Sequence, residues 1–442
     1  MKKKIAVVGM GQGGMVAAIN LAEKFDVTIY EKNEKGKVGY EWRDDITSAI
    51  FSEVGLPLPD GIFCQKPKWI FVAPDYKGVL RIPQLRPYEE ISVDRRGLSE
   101  YFAKLAENAG CKIVYGKEVT GLVVKDEKTV GIRTTEGEEI FDLVIDASGL
   151  NSVLRKDLPE KFSVQKEPSR NDVLYGYRAF FKAAGKTFDS ESDCTMVIKH
   201  LGENGISWCN LNDEGNVDVL IGRVGQLNDD DIEKGLRDLT EHNPVLGGEK
   251  IKEYKVPICL RRPIAVPVAD GYVALGDSAF MPVPIMGSGI ESSMRAGKIF
   301  ATYVLNNGIE EFSASKTWGF FVEFMNKFGK EFVFTDLLRR YALRLPTEYI
   351  NRYFSCGIVT DEDLKTIMLE DYDSSDGIVH WLKKTFIFIK LGKSGRKLIS
   401  VLVKSLKGSN VVKKIPKAYD IEKISKWRAL YDAVSESADG IE

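Results

Sequence analysis

Three glycines, Gly9, Gly11 and Gly14, stand in the spacing G-x-G-x-x-G, and an acid, Glu31, follows Gly14 by 17 residues. Those residue types at that spacing suit the holding of a dinucleotide. The first glycine permits a tight turn, the second lets backbone approach a pyrophosphate, and the third lets a helix sit close to a strand. Glu31 offers a carboxylate to both hydroxyls of an adenosine ribose, which favours FAD or NAD over NADP. The elements that must position these groups are legible around them. Lys4 to Val8 reads as a buried parallel strand, Ala18, Leu21 and Ala22 share one face of a helix, and Val27 to Tyr30 reads as a second strand. The helix N-terminus presents free N–H groups and the positive end of its dipole to phosphates. Strand, glycines, helix, strand and acid occur in order, which separates this stretch from a glycine turn without a ligand. Met1-Lys2-Lys3-Lys4 precedes an apolar run, but Gly9, Gln12 and Asn20 break that run, so a folded strand is expected rather than a secretion signal.

At 442 residues the chain has room for two or three domains. Its composition, 44% hydrophobic and 29% charged, is that of an ordinary globular protein, and a net charge of −2 gives it no global attraction to nucleic acid. No apolar stretch is long enough to span a bilayer. The six cysteines show neither C-x-x-C nor metal spacing, which reads as reduced thiols in a cytoplasmic protein. The three histidines are scattered and assemble no zinc site, so no metal is expected.

Further along, Tyr40 to Asp45 leads into an apolar helical pattern with Ile46, Ile50, Phe51 and Val54. Trp69–Val72 and Val79–Ile82 read as strands, and Val93-Asp94-Arg95-Arg96 opens a helix closed by Asn108-Ala109-Gly110. Phe141 to Gly149 is a buried strand running into a glycine turn. Residues 170–262 alternate apolar and polar, as an antiparallel sheet does, with one helix near Asp230 to Glu241. Gly271 to Asp277 returns to the buried-strand pattern. A helix follows from Gly289, with Ile290, Met294, Gly297, Ala301 and Val304 on one packing face. Residues 310–442 are largely helical in pattern.

Three separated pieces now cohere: the fingerprint, then Asp146-Ala147-Ser148-Gly149 with Asn151, Ser152 and Arg155, then Gly276-Asp277-Ser278-Ala279 followed by Pro282, Pro284, Gly287 and Gly289. Together they resemble FAD-dependent oxidoreductases of the para-hydroxybenzoate hydroxylase fold, and among these the chain is most similar to the geranylgeranyl reductase family. The likeness covers about residues 1–305. It implies an α/β fold: a Rossmann-like FAD-binding domain, an antiparallel β-sheet substrate domain and a helical C-terminal region. The division expected is 1–60, 93–168 and 263–308 for FAD, 61–92 and 169–262 for substrate, and 309–442 for the helices. The resemblance implies that Gly9, Gly11, Gly13, Gly14, Glu31, Lys32 and Val119 bind the cofactor and that Arg95 reaches it near its phosphates. It implies the same role for Ala147, Gly149, Gly276, Asp277, Pro284, Gly287, Ser288, Gly289 and Ile290 toward the flavin half. Read alone, Asp277 is a turn or N-cap aspartate and Arg95 a surface arginine. With the other two pieces, Asp277 can accept a ribityl hydroxyl, and the helix start after Gly289 can stabilise negative charge on a reduced flavin.

The chain departs from the family in two places. Val38 to Arg43 carries no cysteine where the family usually has one, and Ile206-Ser207-Trp208-Cys209-Asn210 stands where an aromatic motif ending in Phe-Pro is usual. Trp208, with Tyr177, is a candidate wall for the substrate; the other reading of Trp208 is a buried sheet aromatic. The expected activity is reduction of C=C bonds in a prenyl or other apolar substrate by hydride from N5 of the reduced flavin. An FAD monooxygenase of an aromatic or lipid substrate and a non-enzymatic electron-transfer flavoprotein remain as alternatives. No residue stands out as the catalytic proton donor. With no second nucleotide fingerprint, the external reductant is expected to be NAD(P)H or reduced ferredoxin, docking transiently. Residues 378–419 hold eleven Lys or Arg and no Asp or Glu, interleaved with Trp381, Leu382, Phe386, Ile389, Leu398, Val401, Leu402 and Val403. They read either as a helical cap packed on the body or as a surface for anionic membrane, peripheral on its inner face.

Overall fold

The computed structural model describes residues 2–81, 87–184, 194–212, 214–361, 363 and 391–439. Residues 378–390 of the basic stretch, with Trp381, Leu382, Phe386 and Ile389, and Ile82 of the expected strand lie outside them.

The apolar runs of the first 30 residues form β1 (Lys4–Val8) and β2 (Asp26–Tyr30), flanking α1 (Gln12–Leu21). They pair in parallel, and β1 pairs in parallel with β12 (Leu143–Asp146), which pairs with β19 (Tyr272–Ala274). β8 (Lys112–Val114) and the two-residue β18 (Val268–Ala269) close the edges of this six-stranded sheet. The carboxyl ends of its strands are level: Val8 faces both Tyr30 and Asp146, and Asp146 faces Ala274. Segments leaving those four ends therefore emerge together along one edge, where parallel sheets take their ligands. Behind that edge α1 crosses α6 (Ile290–Asn306) with almost no side chain between them. A Cβ on Gly297 would stand 2.1 Å from the carbonyl oxygen of Gly13.

The second sheet has seven strands in the order β17 (Leu246–Cys259), β13 (Val173–Ala183), β16 (Asn216–Val224), β15 (Gly205–Leu211), β14 (Cys194–Ile198), β5 (Trp69–Val72) and β6 (Val79–Arg81). All neighbours are antiparallel except β14 and β5. Strand alternation sorts its side chains. Tyr177, Ala179, Val219 and Ile221 pack under α5 (Asp229–His242), and Leu174, Arg178, Phe180 and Leu220 point the other way. A small antiparallel sheet of β3 (Arg43–Thr47), β7 (Glu90–Asp94) and β4 (Phe63–Gln65) bridges the two. Here the helical reading of Ile46 fails. Ile46 pairs with Ile91 in the β3–β7 ladder, and only α2 (Ala49–Glu53) is helical. Its 3.6-residue spacing to Ile50 was coincidental, because cross-strand pairing wins over a local pattern this short. β9 (Val119–Lys125), β10 (Lys128–Thr134) and β11 (Gly137–Ile140) form a further sheet, on whose β9 α4 (Leu154–Asp157) packs, and α3 (Arg95–Asn108) packs on β8 of the parallel one.

The C-terminal third supplies α7 (Ala314–Phe324), α8 (Lys330–Leu343), α9 (Thr347–Ser355), α10 (Lys393–Ser409) and α11 (Ile421–Asp439). Buried ion pairs bolt them down. Asp336 of α8 accepts from Arg262 at 3.0 Å, Arg340 at 2.8 Å and Arg339 at 3.2 Å, and Arg340 also binds Asp172. Arg262 reaches α11 through the Tyr431 carbonyl and Ser435. Burial raises the Asp336 carboxyl, but the arginines outweigh it and hold it well below the usual carboxylate range. α10 packs on the body through Leu398 and Val401 and leaves Ile399 and Val403 outside. Among the described residues no helix is long and apolar enough to cross a membrane.

Candidate functional site

One cavity of about 1520 Å³ runs from the edge of the parallel sheet, past β3, to the inner faces of the seven-stranded sheet and the C-terminal helices. Ligand pockets for one drug-sized molecule hold roughly 300–1,000 Å³, so this one has room for more than one ligand.

At the parallel-sheet end the three glycine-bearing turns line the wall together: Gly9 to Gly13, Ala147 to Gly149, and Gly276 with Asp277. Their mutual packing explains the fingerprint. Gly9, at φ +85°, leaves 2.6 Å between a would-be Cβ and the Ala147 carbonyl oxygen, and a Cβ on Gly14 would meet the Ala147 methyl at 2.5 Å. Asp146, fully buried, ties the second turn to the third. It accepts from the Ser148 hydroxyl at 2.7 Å, from Ser278 at 2.9 Å and from Tyr272 at 2.7 Å. Arg155 closes the same joint through the carbonyls of Ser278 and Leu150. The constellation that drew notice in the sequence thus includes a weld, with Asp146 and Arg155 behind the wall.

Two helices begin at this end, and both begin without a side-chain cap. Gly11 stands at the N-cap of α1 and Gly289 at that of α6, and neither offers an oxygen to the first-turn N–H groups. Elsewhere α3, α5 and α7 are capped by Asp94, Asn228 and Ser313, while α2, α4, α8, α9 and α10 also lack a side-chain cap. Gly149, at φ +98°, has nothing within 4 Å of a would-be Cβ, so the cavity is open directly in front of it. The Glu31 carboxylate is held at the wall by the Met10 N–H at 3.2 Å and by Asn33. Open helix starts, a fixed acid and an unfilled glycine surface suit an anionic dinucleotide of the FAD kind. Lys32, Val119, Gly287, Ser288 and Ile290 line the same cavity, Gly287 beside Ile258 and Leu260. Gly14 and Pro284 do not: Gly14 backs the turn, and Pro284 is buried in the hairpin closed by the Val283–Ser288 bridge.

Between the two ends stands a ladder of charge that the sequence did not announce. Asp277 faces the cavity; burial raises its pKa and Arg95 opposes the rise. Arg95 donates to Asp44 at 2.6 Å. Asp44 also accepts from Arg178 at 3.1 Å, and Arg178 forks onto Asp218 at 2.7 Å. Burial alone would raise Asp44, but Arg178 and Arg95 pull it below its ordinary value. Tyr40 stacks on Trp42 at 4.2 Å, and the two rings are flanked by Arg95 over Tyr40 and Arg178 over Trp42. A charged residue at Arg178, in the apolar run of β13, was the available signal for this ladder.

The far end is mostly apolar, with Arg339 among its lining residues. Leu174, Ile206, Leu220, Ile258 and Leu260 of the sheet face Leu338, Ala342 and Leu345, with Tyr353 and Leu398 beyond. Trp208 lines this end, and its indole Nε1 is buried with no hydrogen-bond partner, as is the Oδ1 of Asn210. Tyr177, by contrast, is on the opposite sheet face. It is packed under α5 with its hydroxyl on Glu253 at 2.7 Å, so the structure does not bring it to the cavity. Under the same face His200 bridges Ser207 and Asp238, both at 2.8 Å. That hydrolase-like trio is closed off: Ser207 and His200 are fully buried and outside the cavity wall.

A parallel sheet carrying three glycine turns, facing an antiparallel sheet across one cavity, is the architecture of the flavin-dependent oxidoreductases of the para-hydroxybenzoate hydroxylase fold. Solved structures agree. A geranylgeranyl bacteriochlorophyll reductase-like protein from Thermoplasma acidophilum superposes with a TM-score of 0.73 at 19% identity, over 90% of this chain and 99% of its own. A flavin-dependent brominase gives 0.60 at 15% identity, over 99% of each chain. No family model matches the chain. Among curated relatives, a digeranylgeranylglycerophospholipid reductase from Sulfolobus acidocaldarius is 22% identical over 377 residues, 82% of this chain and 82% of its own length. One from Methanopyrus kandleri is 24% identical over 365 residues, 78% of this chain and 91% of its own. The resemblance to the geranylgeranyl reductase family therefore extends beyond the motifs to most of the chain.

Proposed function

We propose that the protein is an FAD-dependent oxidoreductase that reduces C=C bonds of a prenyl chain or a similarly apolar substrate. The observation that carries this reading is the continuity of the cavity, from three backbone turns suited to a dinucleotide into a chamber walled by aliphatic side chains. The names of the curated relatives support the same class of substrate.

In this reading the open N–H groups of α1 take the pyrophosphate, Glu31 takes the adenosine ribose, and Asp277 takes a ribityl hydroxyl. The uncapped start of α6 after Gly289 would favour negative charge on a flavin bound beside it. The bound flavin supplies a hydride equivalent. The protein does the rest. Leu220, Leu260, Leu338 and their neighbours exclude water and align the chain, and the Arg95–Asp44–Arg178 ladder keeps the charges of that wall paired inside the cavity. Trp208 forms part of the substrate wall. The external reductant is NAD(P)H or reduced ferredoxin, docking transiently. The outer face of α10, with Arg396, Lys397, Ile399, Val403, Lys404 and Lys407, rests on an anionic lipid surface.

The test is turnover in strict anaerobiosis. Purified protein reduced with dithionite is mixed with a geranylgeranylated lipid and the product is weighed. Uptake of two hydrogens per double bond, with reoxidation of the flavin, supports the reading. Product that forms only with oxygen and carries an added oxygen atom replaces it with a monooxygenase. Sedimentation with anionic and neutral vesicles tests α10, and equal binding to both removes the membrane surface.

A further inference from the structure

Reduction of an isolated C=C bond requires a proton as well as a hydride, and the chain must hold the group that gives it. We infer that Asp45 of β3 is the catalytic acid that protonates the substrate carbon; this rests on the reductase reading above.

The placement of Asp45 carries the inference. One residue before it, Asp44 holds Arg95, the arginine whose charge acts on Asp277. Two residues after it, Thr47 binds Glu291 in the first turn of α6, through its N–H at 2.7 Å and its hydroxyl at 3.0 Å. Asp45 thus lies on the one strand that holds both the arginine acting on Asp277 and the first turn of α6. On its other side Trp69 Nε1 donates to the Asp45 Oδ2 at 3.0 Å, and the Trp69 ring meets Trp208 edge to face at 5.8 Å, at the apolar chamber. Asp45 lines the cavity between the two chambers.

The other acids of this stretch of wall are committed. Asp44 is pinned by two arginines, Asp218 is forked by Arg178, Glu90 is paired with Lys66, and Glu291 is paired with Arg295. Among the described residues no ion pair holds Asp45. The charged groups that face it are Lys66 beyond β4, Glu90 on β7 and Asp44 on its own strand. Burial pushes its carboxyl up. Lys66 and a hydrogen bond from Ser92 oppose that, Asp44 and Glu90 reinforce it, and the result is a pKa of about 6. A carboxyl that still carries its proton at pH values where an ordinary aspartate is ionised, beside an apolar chamber, is suited to general acid catalysis.

The step balances. One alkene carbon would gain a C–H bond with the hydride, two electrons and one hydrogen, that a bound reduced flavin would supply. The π pair of the alkene takes the Asp45 proton at the other carbon as the O–H bond breaks. The products are the saturated bond, oxidised flavin and the Asp45 carboxylate, which recovers a proton from water at the cavity mouth.

Three measurements on holoenzyme and apoprotein test this. Asp45→Asn should bind FAD and accept electrons from dithionite as the wild type does, yet reoxidise with prenyl lipid about 100-fold more slowly. The wild-type rate should fall tenfold per pH unit above about 6, and the variant should lose that slope. In apoprotein, carbon NMR of aspartate-labelled wild type, assigned by the same variant, should titrate Asp45 near 6. Wild type that reduces no prenyl lipid overturns the reductase reading, and the acid with it, whatever Asp45 titrates at. Wild-type turnover with unchanged rate and pH profile in Asp45→Asn overturns the acid alone. Titration at an ordinary carboxylate value does so without any turnover.

Discussion

Where the cavity meets α1 and α6 its wall is backbone; where it meets the seven-stranded sheet and α8 its wall is side chains. The first end uses glycine for mutual packing of turns and leaves N–H groups uncapped. The second uses aliphatic side chains from elements far apart in sequence, anchored by Asp336 and Asp172 amid arginines. A wall of backbone suits one charged, invariant ligand. A wall of side chains can be reshaped for a chain of chosen length. The difference predicts that the two ends can be damaged separately.

The largest effect should come from the anchor. Asp336→Ala leaves Arg262, Arg339 and Arg340 without their shared buried partner and should cost about 3–5 kcal/mol in chemical denaturation. The same wall should loosen in acid. Asp336 and Asp172 are held below their ordinary values, so their contribution is complete above about pH 4, the unfolded range, and is lost as pH falls through the folded values. Unfolding followed from pH 7 downward checks this, and flat stability between pH 5 and 2 would break the contrast. Next, Ala342→Trp places a large ring in the apolar chamber. It should raise KM for a prenyl lipid at least tenfold, about 1.4 kcal/mol, and leave the flavin spectrum unchanged. Smaller and opposite, Glu31→Gln should weaken FAD by about tenfold in a fluorescence titration and leave KM for the lipid alone. A change in both constants with either variant would mean the two ends are not separable.

An effect of similar size, on stability alone, concerns Asp45. Its carboxyl is raised in the folded state, so the fold binds the extra proton between the unfolded value near 4 and about 6, and stability falls as pH rises across that window. Asp45→Asn removes the penalty. It should stabilise the protein by about 1–2 kcal/mol at pH 8 and not at pH 4, as read from paired denaturation curves.

The same contrast sets what the sequence could disclose. The backbone end was legible because each turn is local: strand, glycine and helix start lie within about twenty residues, and the acid at Glu31 follows at a recognisable distance. What the glycines pack against was not, since Ala147 is more than a hundred residues away and only strand register brings it there. Trp208 could be picked out as a candidate wall by its type and neighbourhood. Tyr177 was misplaced because one strand offers two faces, and the choice between them depends on α5 rather than on the residue. Asp44 and Asp45 were passed over as the approach to a helix. Their strand exists only through pairing with β7, and Ile46 made a three-turn helical pattern look complete.

The backbone contact between Gly13 and Gly297 has a consequence for which flavin can be used. With no side chains to slide, the two uncapped helix starts are held at one fixed separation, like the jaws of a gauge. A cofactor that engages both starts must match that separation, so its length is tested before any base or ring is recognised.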